Sequence, residues 1–433
     1  MKKTIASALA LLVLSAASQA DAQSNPRYIQ FKPRATKGVL HSPDKGPAPS
    51  VAFLAIHRTS NFLSIVATKE LAKRGFLVLG MNPRSDNNET IVNFETVALD
   101  IKQGVEYLRK QPGVKTVVLV GFSGGGPATT FYQATAEKGI AYCNGPEKLS
   151  KCPDTLAGLP KADAMLLLDA HPGISVNTMR SLNPSVTDED NPNRIDASLD
   201  PFDVRNGFNP KGQSVYSKEF MDRYFKAQAR RMNRLIERAL AMKAEIARGA
   251  GKAPDDAPFV IYRDRARLMD FSMSVHAATI RPQKLLKNDG SIVTQIVSSV
   301  RAPLTSNAKR DRELMSGGKI LTLTSFLSAN AIRAKDSMEA IDWCTSNSST
   351  VCALKQITVP ILITAMGGHY FVRDNEIHYE VAASKDKDYV VAEGATHGQT
   401  PCKKCSENTG QSYANVTKNL FDYVAAWTNK RFK

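Results

Sequence analysis

Short runs of mostly apolar residues recur along this chain, and each is followed by a stretch with helical spacing. The runs are VAFLAIHR (51–58), FLVLGMNPR (76–84), VVLVGFS (117–123) and AMLLLDA (164–170). Nearly continuous apolar runs of this length mark strands buried on both faces. Between them, Leu63–Arg74, Phe94–Lys110 and Ala128–Lys138 read as helices; Val97, Ile101, Val105 and Leu108 fall on one face of the second. Strands alternating with helices require a mostly parallel sheet covered on both faces, so the predicted class is α/β. The alternation stops near residue 175. It resumes with PILITAM (360–366), a helix near Glu376–Ser384, YVVAEGA (389–395) and an amphipathic helix over Tyr413–Asn429. Two weaker strand candidates, Tyr28–Lys32 and Gly38–His41, precede the regular pattern.

The interruption has its own character. Residues 176–215 are polar and rich in Asn, Pro and Asp. Residues 217–248 form a long basic amphipathic helix, and 258–345 mix helix candidates with polar loops. The predicted organisation is a core in two parts, 23–175 and 346–433, with a mainly helical cap inserted at 176–345, a size within the domain range. The basic helix could meet a membrane or a partner. The favoured reading packs its apolar face on the core and leaves its Arg and Lys in water.

Met1-Lys2-Lys3, the apolar stretch that follows and the small residues around Ala20-Asp21-Ala22 predict a signal peptide over residues 1–22, cut after Ala22 or Ala20. Its apolar part is shorter than the roughly 20 residues a membrane span needs. Export fits the cysteines, an even set in three close pairs: Cys143 with Cys152, Cys344 with Cys352, Cys402 with Cys405. Cys402-Lys403-Lys404-Cys405 could be a redox motif or half a metal site, but no second C-x-x-C accompanies it, and a loop clip is the favoured reading. With 57 Lys and Arg against 41 Asp and Glu the net charge is +16, and +15 once Lys2, Lys3 and Asp21 are removed. Such a surface draws anions. Zinc-finger spacing, an RNP-like motif and a basic-aromatic stripe are all missing, which argues against a nucleic-acid partner. No later segment is apolar for long enough to predict stable membrane insertion.

Gly121-Phe122-Ser123-Gly124-Gly125 closes a predicted strand and opens a predicted helix. This is G-x-S-x-G in the setting that gives the motif its meaning. A nucleophilic serine there stands on a sharp turn, clear of the sheet. Its flanking glycines let strand and helix approach, and the helix N-terminus offers N–H groups to developing negative charge. A phosphate-binding loop would need a Gly-Lys-Ser/Thr ending, which is absent.

At these residues the chain resembles the α/β-hydrolase family, over most of 27–433 and with the insertion where that family often carries a cap. The family's order is Ser, acid, His. The resemblance implies that His397, in EGATHG (393–398) after the last strand, is the base; His171, His276, His369 and His378 are weaker candidates among seven histidines. The acid usually follows the strand after the cap, where this chain instead has His369, in Gly367-Gly368-His369-Tyr370. The family's other position for it is the end of the preceding strand. Asp169 sits there in LLLDAHPG (166–173), similar to the Leu-Asp-Pro-Ala segment of the pancreatic lipase branch. Asp169 is therefore the favoured acid, with Glu376 and Asp374 as alternatives. One oxyanion N–H is expected from Gly124, and a second from Arg58 or Thr59 in the loop after the first long strand. The Arg58 side chain could instead hold an acidic substrate group or reach solvent.

The resemblance thus implies a secreted serine hydrolase of carboxylic esters that needs no metal or organic cofactor. Its substrate would be a small-molecule or polymer ester, an acidic or polar one fitting the basic cap better than a long lipid. Two other readings stay open: an amidase or peptidase with the same three residues, and a catalytically inactive hydrolase fold serving as a binding module.

Overall fold

Every residue of Val51–Ile56, Leu77–Asn82 and Ile361–Met366 is buried, as the unbroken apolar runs require. In the computed structural model, which describes residues 24–32, 36–44, 46–251 and 253–433, these runs form the middle of one ten-stranded sheet. The expected signal peptide at 1–22 lies outside the described residues.

In chain order the strands are β1 (Ser24–Gln30), β2 (Lys37–Pro43), β3 (Val51–Ile56), β4 (Leu77–Asn82), β5 (Thr116–Phe122), β6 (Ala164–Leu168), β7 (Pro258–Ile261), β8 (Gln283–Leu286), β9 (Ile292–Gln295), β10 (Lys319–Thr322), β11 (Ile361–Met366) and β12 (Lys387–Ala392). The main sheet runs β1-β2-β4-β3-β5-β6-β11-β12-β8-β9, and β7 and β10 form a separate two-stranded sheet. From β4 to β8 all pairings are parallel; β1, β2 and β9 make the antiparallel edges. The two weak strand candidates near the N-terminus are the hairpin β1–β2.

The period of two along each strand sorts side chains onto two faces. Ala52, Leu54 and Ile56 pack with Val97, Ile101, Val105 and Leu108 of helix α2 (Phe94–Arg109) and with Phe131 of α3 (Gly125–Lys138). Val51, Phe53 and Ala55 face the other way, toward Leu71 of α1 (Val66–Lys73) and toward Leu420, Phe421 and Val424 of the helix Val416–Phe432. Asn93 starts α2 by accepting from the Thr96 N–H.

The inserted segment has a separate apolar core. Helix α4 (Ile174–Ser181) leads into it, and α5 (Lys218–Ala247) spans 30 residues with Ser217 as its N-cap. Phe220, Tyr224, Met232, Leu235 and Ile236 of α5 are buried there beside Phe259, Leu321 and Phe326. Most Arg and Lys of α5 face outward, but Arg231 is fully buried: its guanidinium grips Glu189 and the carbonyls of Asn183 and Tyr262.

Two features depart from expectation. Residues 283–295 lie inside the segment read as cap, yet β8 and β9 extend the main sheet beyond β12. The boundary at 176–345 therefore does not separate core from insertion. Both strands are four residues long; β8 buries only Leu285 and Leu286 and β9 is exposed throughout, which is too little apolar sequence to read as a buried strand. The segment is also less helical than expected, since β7 and β10 add a short antiparallel pair. The six cysteines form Cys143–Cys152, Cys344–Cys352 and Cys402–Cys405. Among the described residues, no helix is long and apolar enough to cross a membrane.

Candidate active site

Strand β5 ends at Phe122 and α3 begins at Gly125, so the chain reverses over two residues. Ser123 takes φ 54°, in the left-handed region that costs a non-glycine residue about 1 kcal/mol or more. Close contact between strand and helix makes the turn possible: a Cβ on Gly121 would lie 2.6 Å from Leu167 Cδ2 and 2.8 Å from the Gly126 Cα. The Ser123 carbonyl is itself held by the N–H groups of Gly126 and His171.

Two further strand ends bring their residues to the same place. Asp169 directly follows β6 with φ 45°, and His397 lies in the loop after β12. Asp169 Oδ2 accepts from His397 Nδ1 at 2.6 Å, and His397 Nε2 lies 2.8 Å from Ser123 Oγ. Since the His397 hydrogen on Nδ1 is committed to the carboxylate, Nε2 presents its lone pair to the serine hydroxyl. The Asp169 side chain is 0% exposed and that of His397 31%, so the carboxylate is sealed while the imidazole edge opens outward. Phe122 and Phe371 pack against the His397 ring and fix its plane.

Three more histidines surround this chain of hydrogen bonds. His369 stacks on His397 with ring centroids 4.3 Å apart, and its Nδ1 lies 2.7 Å from the same Asp169 oxygen, out of line for a hydrogen bond. Burial alone would raise the Asp169 carboxyl; the neighbouring imidazoles, His369 foremost, outweigh it and hold it at about 2. Its folded value lies below the unfolded one, so the stability it contributes is full above pH ~4 and is lost as pH falls through about 2. His171 Nε2 sits 3.2 Å from Ser123 Oγ. A serine hydroxyl has one hydrogen, and His397 Nε2 takes it. His171 must then donate, carrying its hydrogen on Nε2, which agrees with Asn177 Nδ2 donating to its Nδ1 at 3.0 Å. Burial, then the Arg58 charge, keep His171 neutral well below its usual value.

The third histidine, His57, adjoins the expected oxyanion loop. Its Nδ1 accepts from the N–H groups of Thr59 and Ser60, at 3.0 and 2.8 Å. The Thr59 N–H is thereby consumed, which removes it as the second oxyanion donor. The backbone N–H groups of Gly124 and Arg58 have no partner among the described residues. The Arg58 side chain does not reach freely into solvent: it is 12% exposed and paired with Glu89 at 2.7 Å.

The two alternative acids are occupied elsewhere. Asp374 makes a buried bidentate pair with Arg180, both contacts at 2.9 Å. Glu376 accepts from the N–H groups of Ile280 and Arg281 and from Gln283 and Arg373. Glu376→Gln is therefore expected to leave kcat within about threefold of wild type, because it cannot reach His397; parallel kinetic and melting measurements would separate that from its loss of stability. His276 and His378 lie by the Arg180–Asp374 pair, each pushed down to about 4 chiefly by burial.

Asp169 Oδ2 and the Nδ1 atoms of His369 and His397 lie within 4.8 Å of one another, the one such grouping among the described residues. Two imidazoles and a carboxylate are a reasonable donor set for a transition metal. A cation there would, however, take His397 Nδ1 away from its carboxylate. A cavity of about 990 Å³ lies beyond, lined by Arg180, Met221, Phe225, His276 and Trp343, none of which touches Ser123 Oγ. In the sequence His171 and His369 stand only as alternative bases and His57 has no assigned role; the structure places all three around Ser123 and His397. All three sit just past strand ends on one edge of the sheet, the edge where open α/β sheets gather their sites.

No family model matches this chain, and no curated protein matches its sequence. Among solved structures it is similar to the siderophore hydrolase EstB from Aspergillus fumigatus, at 9% identity, covering 95% of this chain and 98% of that one, with a TM-score of 0.44. It is similar also to the α/β hydrolase GrgF from Penicillium sp. sh18, at 10% identity over 94% and 99% of the two chains, TM-score 0.42. Est1E from Butyrivibrio proteoclasticus is 10% identical over 94% and 98%, TM-score 0.38. The parallel sheet, the helices on both faces and the strand–serine–helix turn give the chain an α/β-hydrolase fold.

Proposed function

We propose that this α/β-hydrolase-fold chain is an exported serine hydrolase of carboxylic esters. One observation carries the reading: the unbroken run of hydrogen bonds from buried Asp169 through His397 to Ser123 Oγ, on a serine held at a left-handed turn. In the proposed reaction His397 Nε2 takes the Ser123 proton as Oγ bonds to the ester carbonyl carbon. Asp169 keeps the imidazole in the required tautomer and stabilises its charged form. The alcohol leaves with the proton from His397, forming an acyl-enzyme. Water then gives its proton to His397 and attacks the acyl carbon; the acyl–Oγ bond breaks, His397 returns that proton to Ser123 Oγ, and the carboxylic acid is released. His171 Nε2–H, already donating to Ser123 Oγ, favours negative charge on that oxygen.

Export is supported by the N-terminal residue pattern, and three disulfides suit an oxidising compartment. The substrate proposal is an ester small or polar enough to meet a site crowded with histidines and Arg58. The test uses the purified protein with p-nitrophenyl esters of graded acyl length and the matched anilides. Expected is ester turnover with an initial burst of nitrophenol near one equivalent per chain, and slower or undetectable anilide turnover. Faster anilide cleavage would favour the amidase reading. No turnover of either would contradict the proposal and leave a binding module.

A further inference from the structure

Arg58 is pinned in an unusual place. Its Nη2 and Nε donate to Glu89 at 2.7 and 3.2 Å, and Thr59 Oγ1 donates to the same carboxylate at 2.8 Å. That leaves Nη1 as the free arm of the guanidinium. A Cβ built on Gly124 would collide with this Nη1 and would lie 2.5 Å from His57 Nε2, so both nitrogens stand over the residue that follows Ser123.

The hydrogen on His57 can be located. Two backbone N–H groups donate to its Nδ1, so its own hydrogen is on Nε2. Burial holds the ring well below its usual value, which favours the neutral form. Arg58 Nη1 is 3.3 Å from that Nε2. Both atoms carry hydrogen, so this contact is not a hydrogen bond. Two donors, one of them charged, converge beside the Gly124 N–H, which has no partner among the described residues. Such a convergence suits an oxygen that gains negative charge.

We propose that the side chains of Arg58 and His57, through Nη1–H and Nε2–H, are catalytic residues that stabilise the oxyanion together with the Gly124 N–H, and that Glu89 is the positioning residue that aims Arg58. The inference rests on the serine-hydrolase reading above. It replaces a hole made of backbone groups alone with one that carries a fixed positive charge.

Single changes can separate the parts. His57→Asn keeps an acceptor near Nδ1 for the Thr59 and Ser60 N–H groups but removes the donor at Nε2. Arg58→Met keeps bulk and removes the charge. Glu89→Gln, at a half-exposed side chain, keeps shape and weakens the aim of Arg58. Gly124→Ala has an acceptable backbone, φ −70°, and its methyl would take the space of Arg58 Nη1 and crowd His57 Nε2, so it should displace both donors.

The experiment measures kcat and KM on a p-nitrophenyl ester, and inhibition by an alkylboronic acid that forms a tetrahedral adduct on serine, for wild type, these four variants, Arg58→Ala (with and without added ethylguanidinium) and Ser123→Ala. Expected for Arg58→Met and His57→Asn is a loss of about 10²–10³ in kcat with KM changed by no more than about threefold, and boronate inhibition weakened alongside. Glu89→Gln should show a smaller loss of the same kind, and ethylguanidinium should restore part of the activity of Arg58→Ala. If His57→Asn melts early, Arg58→Met decides the matter. Wild-type kcat and boronate affinity in Arg58→Met, with Ser123→Ala inactive, would overturn this proposal and leave the hydrolase reading intact. If wild type shows no turnover that depends on Ser123, both fall.

Discussion

Ser123→Ala is expected to lower kcat on p-nitrophenyl esters on the order of 10⁶-fold, and Asp169→Asn by about 10⁴-fold, with both variants folded. The two losses have different causes. Alanine at 123 removes the atom that would bond to the acyl carbon, and relieves rather than adds backbone strain only in part, since alanine also disfavours φ 54°. Asparagine at 169 keeps the size of the side chain but cannot accept equally well from His397 Nδ1, now 2.6 Å away. The imidazole loses its reason to keep hydrogen on Nδ1, and its Nε2 no longer holds a lone pair toward Ser123. The Asn amide could still meet the Met366 N–H through its oxygen, as Asp169 Oδ1 does at 3.2 Å, so the strand end should survive. Steady-state kinetics beside thermal melts would test this. A loss in Asp169→Asn below about tenfold would mean that His397 does not depend on this carboxylate.

The second large effect is on stability. Arg180→Met should destabilise the fold by about 3–5 kcal/mol, because it strands a buried carboxylate. Arg180 and Asp374 are 3% and 1% exposed, and among the described residues each has the other as its one salt-bridge partner. The neighbours that remain, His276 and His378, are both neutral at pH 7. Burial raises the Asp374 carboxyl and Arg180 more than offsets it; without the guanidinium, Asp374 must take a proton or stay charged at high cost. Removing both charges together, as Arg180→Met with Asp374→Leu, should recover most of the loss, since an apolar pair of similar volume is often as stable. The check is a set of thermal melts of the two single variants and the double. Additive losses would show that the pair is not coupled.

The core of the fold was legible because burial on both faces writes itself into a strand as continuous apolar sequence. β3, β4, β5, β6, β11 and β12 all appear that way. β8 and β9 do not. They extend the edge beyond β12, where QKLL buries only its two leucines and IVTQ buries nothing, so neither carries the long apolar run that marks the inner strands. Ser123 and His397 were legible from the turn motif and chain order. The acid was harder, because Asp374 and Glu376 lie close in sequence to the usual position. What disqualifies them is distant: Arg180 for one, the backbone at 280–281 for the other. The roles proposed for His57 and Glu89 were hidden for the same reason. Nothing local says that Glu89 turns Arg58 toward Gly124 across 31 residues.

The measurement that tests the central claim most directly is the intact and peptide mass of the purified protein after treatment with a fluorophosphonate. Ser123 Oγ should displace fluoride from phosphorus, so the expected result is one adduct, mapped to the peptide that carries Ser123 and absent from Ser123→Ala. An unlabelled wild type, or an adduct that persists in Ser123→Ala, would contradict the assignment of Ser123 as the nucleophile.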